Sequence, residues 1–196
     1  MSFTLRMSLC FLALSLCLIS PGLAQSQSVP NPPTSSEIND LAAALVAAAS
    51  EEEQERLLAA KKNLTNNSLL VALKAQADPL VQKGDYAQAL KISQLAVRIA
   101  ERIGDRAGMG IALNDLGGIY FRQNRAEQAR EFFQMSLAIF EEADDKKRKA
   151  QALFNIGVTY RSQERFAEAS QYYEKSLAIS VETGDRNFTA TVLYNM

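Results

Sequence analysis

From Leu69 onward, apolar residues recur at helical spacing in blocks, and the blocks repeat at an offset of about 40 residues. Leu113, Leu116 and Tyr120 form one stripe, and Leu153, Ile156 and Tyr160 form the same stripe in the next unit. A second kind of block aligns Ala89, Ala129 and Ala169, then Phe133 with Tyr173, and Val97 with Leu137 and Leu177. Each unit is therefore two amphipathic helices joined by a tight turn. The turns fall at Lys83-Gly84-Asp85, Gln123-Asn124-Arg125 and Gln163-Glu164-Arg165, where Gly84 and Asn124 tolerate positive φ and Glu164 fits less well. Between units, Gly104 and Gly184 can end a helix, and Asp105, Asp145 and Asp185 can accept hydrogen bonds from the first free amides of the next.

These boundaries divide the array into repeat 1 (66–105), repeat 2 (106–145), repeat 3 (146–185) and the start of a fourth (186–196) that stops mid-repeat. Small residues Gly117 and Ala129, and again Gly157 and Ala169, let the two helices of a hairpin approach closely. Pro79 falls inside the leading helix of repeat 1, where a missing N–H and a ring clash predict a kink or break. Upstream, the stripe Ile38, Leu41, Leu45 and Ala48 predicts an N-terminal helix over 37–63, started by Ser36 and packed on the array. The acidic run Glu51–Glu53 within it reads as a solvated face.

The first residues follow a different pattern. One basic residue, Arg6, precedes an apolar run from Leu9 to Ile19, then Ser20-Pro21-Gly22-Leu23-Ala24. That order predicts a signal peptide over 1–24, cleaved after Ala24, and a secreted or periplasmic product with no stable membrane span after cleavage. Residues 25–36, rich in Ser, Gln and Pro, bury too little to offset their ordering entropy and read as a flexible linker. Both cysteines, Cys10 and Cys17, lie in the leader, so no disulfide framework is expected.

Composition narrows the chemistry. The chain is 47% hydrophobic and 22% charged with net charge −1, which gives no field to gather phosphate backbones, so nucleic acid is not an expected partner. The basic run Lys146–Lys149 sits beside Asp144 and Asp145 and reads as a surface helix start. There is no histidine, and past the leader no cysteine, to activate a nucleophile or bind a transition metal. The expectation is a protein that is not an enzyme and uses no cofactor or metal.

The pattern Leu-x-x-Leu-Gly-x-x-Tyr, followed by Ala and then an aromatic four residues later, resembles the tetratricopeptide repeat, with Leu113 or Leu153 at the usual tryptophan position. The longer period and the wording Ala-Leu-Phe-Asn-Ile-Gly are similar to the extended repeats of kinesin light chains and spindle-orientation scaffolds. The leader, linker and Gly-Asp-punctuated array also look like bacterial secreted proteins in which such an array often precedes a caspase-like peptidase domain of the CHAT class. The resemblance implies an all-α, right-handed superhelical solenoid of antiparallel hairpins that binds a peptide or protein on the face lined by each leading helix. An alternative is the recognition module of a larger secreted or periplasmic protein whose effector domain lies outside this chain.

On that concave face the expected binding residues are Asn114, Asp115, Phe121, Arg122, Phe154, Asn155, Val158, Arg161 and Asn195, flanked by Lys74, Asp78, Val81, Gly118 and Ser162. Asn155 and Asn195 share a repeat position with Asp115, and in the resembled scaffolds asparagines there grip a peptide main chain, because an amide both donates and accepts. A clamp for a C-terminal carboxylate is not expected, since Asn114 and Phe154 stand where lysines would be needed. The uncovered last helix, with Leu193 and Met196, is a candidate for self-association.

Overall fold

The computed structural model describes residues 32–196, and the leader and most of the linker lie outside the described residues. Among the described residues there are nine α-helices and no strand: α1 (Ser35–Ala47), α2 (Glu51–Ala60), α3 (Asn67–Lys83), α4 (Tyr86–Ile103), α5 (Arg106–Arg122), α6 (Ala126–Glu142), α7 (Lys146–Ser162), α8 (Phe166–Glu182) and α9 (Arg186–Asn195). Helices α3 to α8 form three antiparallel hairpins stacked in chain order, each packing on the next, with α9 following α8. The result is an all-helical solenoid. None of the described helices is long and apolar enough to cross a membrane.

The N-terminal region departs from the expected single helix over 37–63. Thr34, not Ser36, caps α1: its hydroxyl accepts from the Glu37 amide while the Glu37 carboxylate accepts from the Thr34 amide, a reciprocal capping box. The helical segment thus begins inside what reads as linker. The chain breaks again at Ala48–Ser50, because Ser50 caps a new helix and the Glu53 carboxylate accepts from the Ala49 amide. Helix α2 then ends at Ala60, followed by a 3-10 turn over Lys62–Leu64 that tucks Leu64 into the core. The acidic run is a helix N-terminus, where carboxylates suit the positive end of the dipole. Glu51 and Glu55 pair with Arg98 and Arg102 of α4, tying α2 to the first hairpin.

Pro79 does not break α3, which runs continuously from Asn67 to Lys83. Both Pro79 and Ala75, whose carbonyl loses its helical partner, are exposed, so water can satisfy that oxygen. Meanwhile Leu69, Leu70, Leu73 and Ala77 anchor the helix from its buried side. Packing overrides the local penalty.

The connectors follow the sequence closely. Asp85, Asp105, Asp145 and Asp185 each accept a hydrogen bond from the amide three residues on, at 2.9–3.2 Å. Gly84, Gly104 and Gly184 take φ of 70–80°, and the same left-handed conformation is held by Asn124 (59°), Asp144 (50°) and Glu164 (60°). Glu164 is therefore forced into it by the hairpin on either side, at a cost of about 1 kcal/mol relative to glycine.

Inside the second and third hairpins the small residues admit an aromatic ring. A Cβ on Gly117 would lie 2.6 Å from the Phe133 ring, and one on Gly157 would lie 2.7 Å from Tyr173 and 3.3 Å from the Ala169 carbonyl. Two buried hydroxyls add a repeating bond: Ser136 donates to the Gly110 carbonyl and Ser176 to the Ala150 carbonyl, both at 2.8 Å. Outside this core, Tyr120 stacks on Phe132 (5.1 Å) and Tyr160 on Tyr172 (5.4 Å), with Arg125 and Arg165 over the respective tyrosine rings.

Tyr173 carries a flaw that its counterpart Phe133 lacks: its hydroxyl is buried with no hydrogen-bond partner among the described residues. Burial also pushes the phenol above its usual pKa. Tyr173→Phe removes an unsatisfied polar atom without opening a cavity, so it should stabilise the fold by about 1 kcal/mol. Urea unfolding of the two proteins checks this, and a loss of stability would show that the hydroxyl is in fact solvated.

Candidate functional site

The leading helices α3, α5 and α7 line one face, and between them lies a groove of about 800 Å³ floored by residues of α4 and α6. Of the expected binding residues, Asn114, Asp115, Phe121, Arg122, Phe154, Asn155 and Val158 line it, with Asp78, Val81, Gly118 and Ser162 of the flanking set. These positions face inward because they occupy the helical stripe left over when Leu113, Leu116, Leu153 and Ile156 turn to the core. A second hollow of about 410 Å³, more apolar, adjoins it and is lined by Leu70, Val71, Ile92, Ala96 and Ile111. The two share Ala77, Ser93 and Asp115 as their common wall.

Two expected residues do not reach the groove. Arg161 reaches away to the Asn195 main-chain oxygen at 3.4 Å, and the Asn195 amide donates to the Thr191 carbonyl of its own helix at 2.8 Å. Each is tied near α9, outside the groove lining. Lys74 lines the apolar hollow instead.

Two polar pairs form across repeats along this face, one residue out of the register in which the sequence aligns them. Lys74 donates to Asp115 at 2.9 Å, and Asn155 Nδ2 donates to Asn114 Oδ1 at 2.9 Å, both across a separation of 41 residues. Comparing position i with i+41 along the leading helices would have found this alternation; comparing equivalent positions could not. The groove also takes Asn124, Glu127, Phe133 and Gln163 from turns and second helices, which a reading of the leading helices alone misses.

Asp115 and Lys74 are held unequally. Burial raises the Asp115 carboxyl above the usual aspartate value even with Lys74 beside it. Lys74 is more exposed; burial pulls its amine down, but Asp115 and Asp78, the latter at 3.1 Å, more than offset this and raise it. A carboxyl whose pKa is higher folded than unfolded contributes stability only at low pH, and that contribution is lost as pH rises through the folded value. Asp115→Asn places here the residue found at the equivalent positions 155 and 195. Its stability relative to the parent should improve as pH rises from the acid side of the ordinary aspartate range towards neutrality, because the parent alone then ionises a carboxyl that burial disfavours. Thermal melts across that range test it, and a parallel pair of curves would count against it.

No group of three or more His, Cys, Asp or Glu side chains that could hold a metal ion comes together among the described residues. The basic run at the start of α7 is fully partnered: Lys146 to Glu182, Lys147 to Asp185, Arg148 to Asp145 and Lys149 to Glu141.

Several solved structures share this fold. BtubC (BKLC) from P. vanneervenii matches at 21% identity and TM-score 0.64, covering 83% of this chain and 64% of that one. Aspartyl phosphate phosphatase F from Bacillus subtilis matches at 20% identity and TM-score 0.62, covering 81% and 43%. The nearly identical TPR-like repeats of a Podosopora anserina protein assigned as a kinesin light chain match at 16% identity and TM-score 0.53, covering 81% of each chain. The chain thus spans less than two thirds of the length of the first two. No curated protein matches the sequence significantly. The tetratricopeptide repeat model matches residues 69–142, 109–180 and 148–196, which together span every hairpin described above, so the chain belongs to the tetratricopeptide repeat family.

Proposed function

We propose that this protein is an interaction scaffold that holds an extended peptide segment of a partner in the groove between α3, α5 and α7. The observation that carries this reading is the Asn114–Asn155 pair. Their mutual bond uses Asn155 Nδ2 and Asn114 Oδ1, and leaves Asn155 Oδ1 and Asn114 Nδ2 without partners among the described residues. One acceptor and one donor, held rigidly against each other at the groove wall, match the N–H and C=O of a peptide main chain. Phe121, Phe154 and Val158 around them supply apolar contact, and the adjoining hollow has room for a ligand side chain. Recognition of this kind needs no catalytic group, and we assign no enzymatic activity to the chain. In keeping with its first residues, we place its action in a secreted or periplasmic compartment; N-terminal sequencing of the exported protein, expected to begin at Gln25, tests that placement.

Selection from a random peptide library displayed on phage, followed by affinity measurement of the recovered peptides, tests the groove. Asn114→Ala with Asn155→Ala should weaken binding at least tenfold, about what two lost hydrogen bonds contribute. Peptides that bind the double variant as tightly as the parent would refute the assignment.

A further inference from the structure

The first hairpin lacks the ring that fills the other two. Phe133 packs on Gly117 and Tyr173 on Gly157, but at the equivalent positions of repeat 1 stand Ser93 and Ala77. One turn further along α4, Ala96 replaces Ser136 and Ser176, whose hydroxyls bond a carbonyl of the leading helix. The apolar hollow of about 410 Å³ lies at these positions, lined by Ala77, Ser93 and Ala96 together with Val71, Ile92 and Ile111. It is the space that a missing aromatic side chain leaves. Leu69 and Leu73, both fully buried, hold α3 from its other side, so the hairpin does not close over it.

Three observations say what fits there. An apolar cavity of about 150 Å³ already accepts benzene, so the hollow has room for a larger ring. Ser93 is 5% exposed, and its hydroxyl makes no hydrogen bond among the described residues, in contrast to Ser136 and Ser176; a polar group so deeply buried calls for a partner. The hollow is also lined by two cations, Lys74 and Arg148. A cation is drawn to the face of an aromatic ring, and an aliphatic side chain offers no such face. This chain uses that contact elsewhere, with Arg125 over Tyr120 and Lys175 over Tyr172, both at 5.3 Å. The hollow opens beside the groove: Val71 at its rim is 69% exposed, and Asp115, next to Asn114, belongs to the wall between the two spaces.

We infer that the hollow is a specificity pocket for a tyrosine or tryptophan side chain of the peptide held in the groove. The inference rests on the groove reading for the main chain that delivers the ring. The ring supplies to repeat 1 what Phe133 and Tyr173 supply to repeats 2 and 3, and its phenol or indole N–H donates to the Ser93 hydroxyl. The Ala77 methyl stands where Gly117 admits the Phe133 ring, so the entering ring sits nearer the open face than Phe133 does.

Peptides selected from a random library against the full chain test the inference. They should share a tyrosine or tryptophan at one position, and alanine there should weaken binding at least tenfold, as loss of a buried ring does. Ala77→Gly with Ser93→Phe recreates the glycine–aromatic pair of repeat 2 and fills the hollow from within. That protein should unfold at higher urea than the parent and bind the aromatic peptide and its alanine version alike. Val71→Asp, at the exposed rim, should weaken the aromatic peptide about threefold or more without touching the core, so the pocket stays testable if the filled protein does not fold; circular dichroism verifies both. Peptides that need Asn114 and Asn155 but carry no aromatic residue at a fixed position would overturn the inference and leave the groove reading standing. Dependence on the ring that survives Asn114→Ala with Asn155→Ala would support the pocket and count against recognition of main chain. Ring dependence unchanged in both hollow variants, recovery of no peptide, or a dimer of the chain that the filled hollow dissolves would each overturn the inference.

Discussion

Phe133→Ala should destabilise the protein by about 3–5 kcal/mol, the usual cost of deleting a buried aromatic whose surroundings relax only in part. Phe133 is buried with Ala129 and Ile156, and Leu137, Tyr120, Phe121, Tyr160 and Tyr172 pack around that cluster. The cavity would open where the second hairpin meets the third, so the loss should appear as early melting of the C-terminal hairpins as well as a lower overall midpoint. Coupling of this kind is expected in a stack whose repeats are stabilised by their neighbours. Hydrogen exchange resolved by helix checks it: α7 and α8 should lose more protection than α1 to α3. Uniform loss across all helices would mean that the array unfolds as one unit.

The second large effect concerns two adjacent glycines. In a helix interior Gly→Ala normally stabilises by up to about 1 kcal/mol. Gly118→Ala should do so, because nothing lies within 4 Å of the added Cβ. Gly117→Ala should destabilise instead, by about 1–3 kcal/mol, because its Cβ would sit 2.6 Å from the Phe133 ring. Combining Gly117→Ala with Phe133→Leu should cost less than the sum of the separate changes, since the smaller side chain makes room. Denaturant midpoints of the four proteins decide the matter, and equal effects at positions 117 and 118 would refute the packing described for this hairpin.

Most of the fold was legible because the repeat writes each constraint several times. A lone Gly-x-x-Tyr or a lone Asp proves little, but Asp105, Asp145 and Asp185 at the same offset cap three helices as expected. What was misread lies where a pattern occurs once. The capping box at Thr34, the break at Ser50 and the unbroken α3 through Pro79 belong to the irregular N-terminal part, where no second copy corrects the reading. Ser136 and Ser176 were overlooked for a different reason: a serine on an apolar stripe looks neutral until its hydroxyl is seen against a carbonyl of the facing helix.

The candidate site was legible as a face and not as a set of bonds. Periodicity placed Asn114, Asp115, Phe121, Phe154, Asn155 and Val158 on the inner surface, where they lie. It could not reveal that adjacent leading helices meet one residue out of register, which turns an expected column of Asp115, Asn155 and Asn195 into the pairs Lys74–Asp115 and Asn114–Asn155. That offset is a matter of how far one hairpin is shifted on the next. It also removes Asn195 from the site, because its amide is spent on its own helix.

Recognition of peptide main chain by the Asn114–Asn155 pair can be read out by N-methylation of a bound peptide. With a peptide obtained by selection, each backbone amide is methylated in turn and the affinity measured. Methylation at one residue should abolish binding to the parent protein, while alanine at that same residue is tolerated and the Asn155→Ala variant no longer distinguishes the methylated peptide from the unmethylated one. A peptide that accepts a methyl at every amide without loss would contradict the claim.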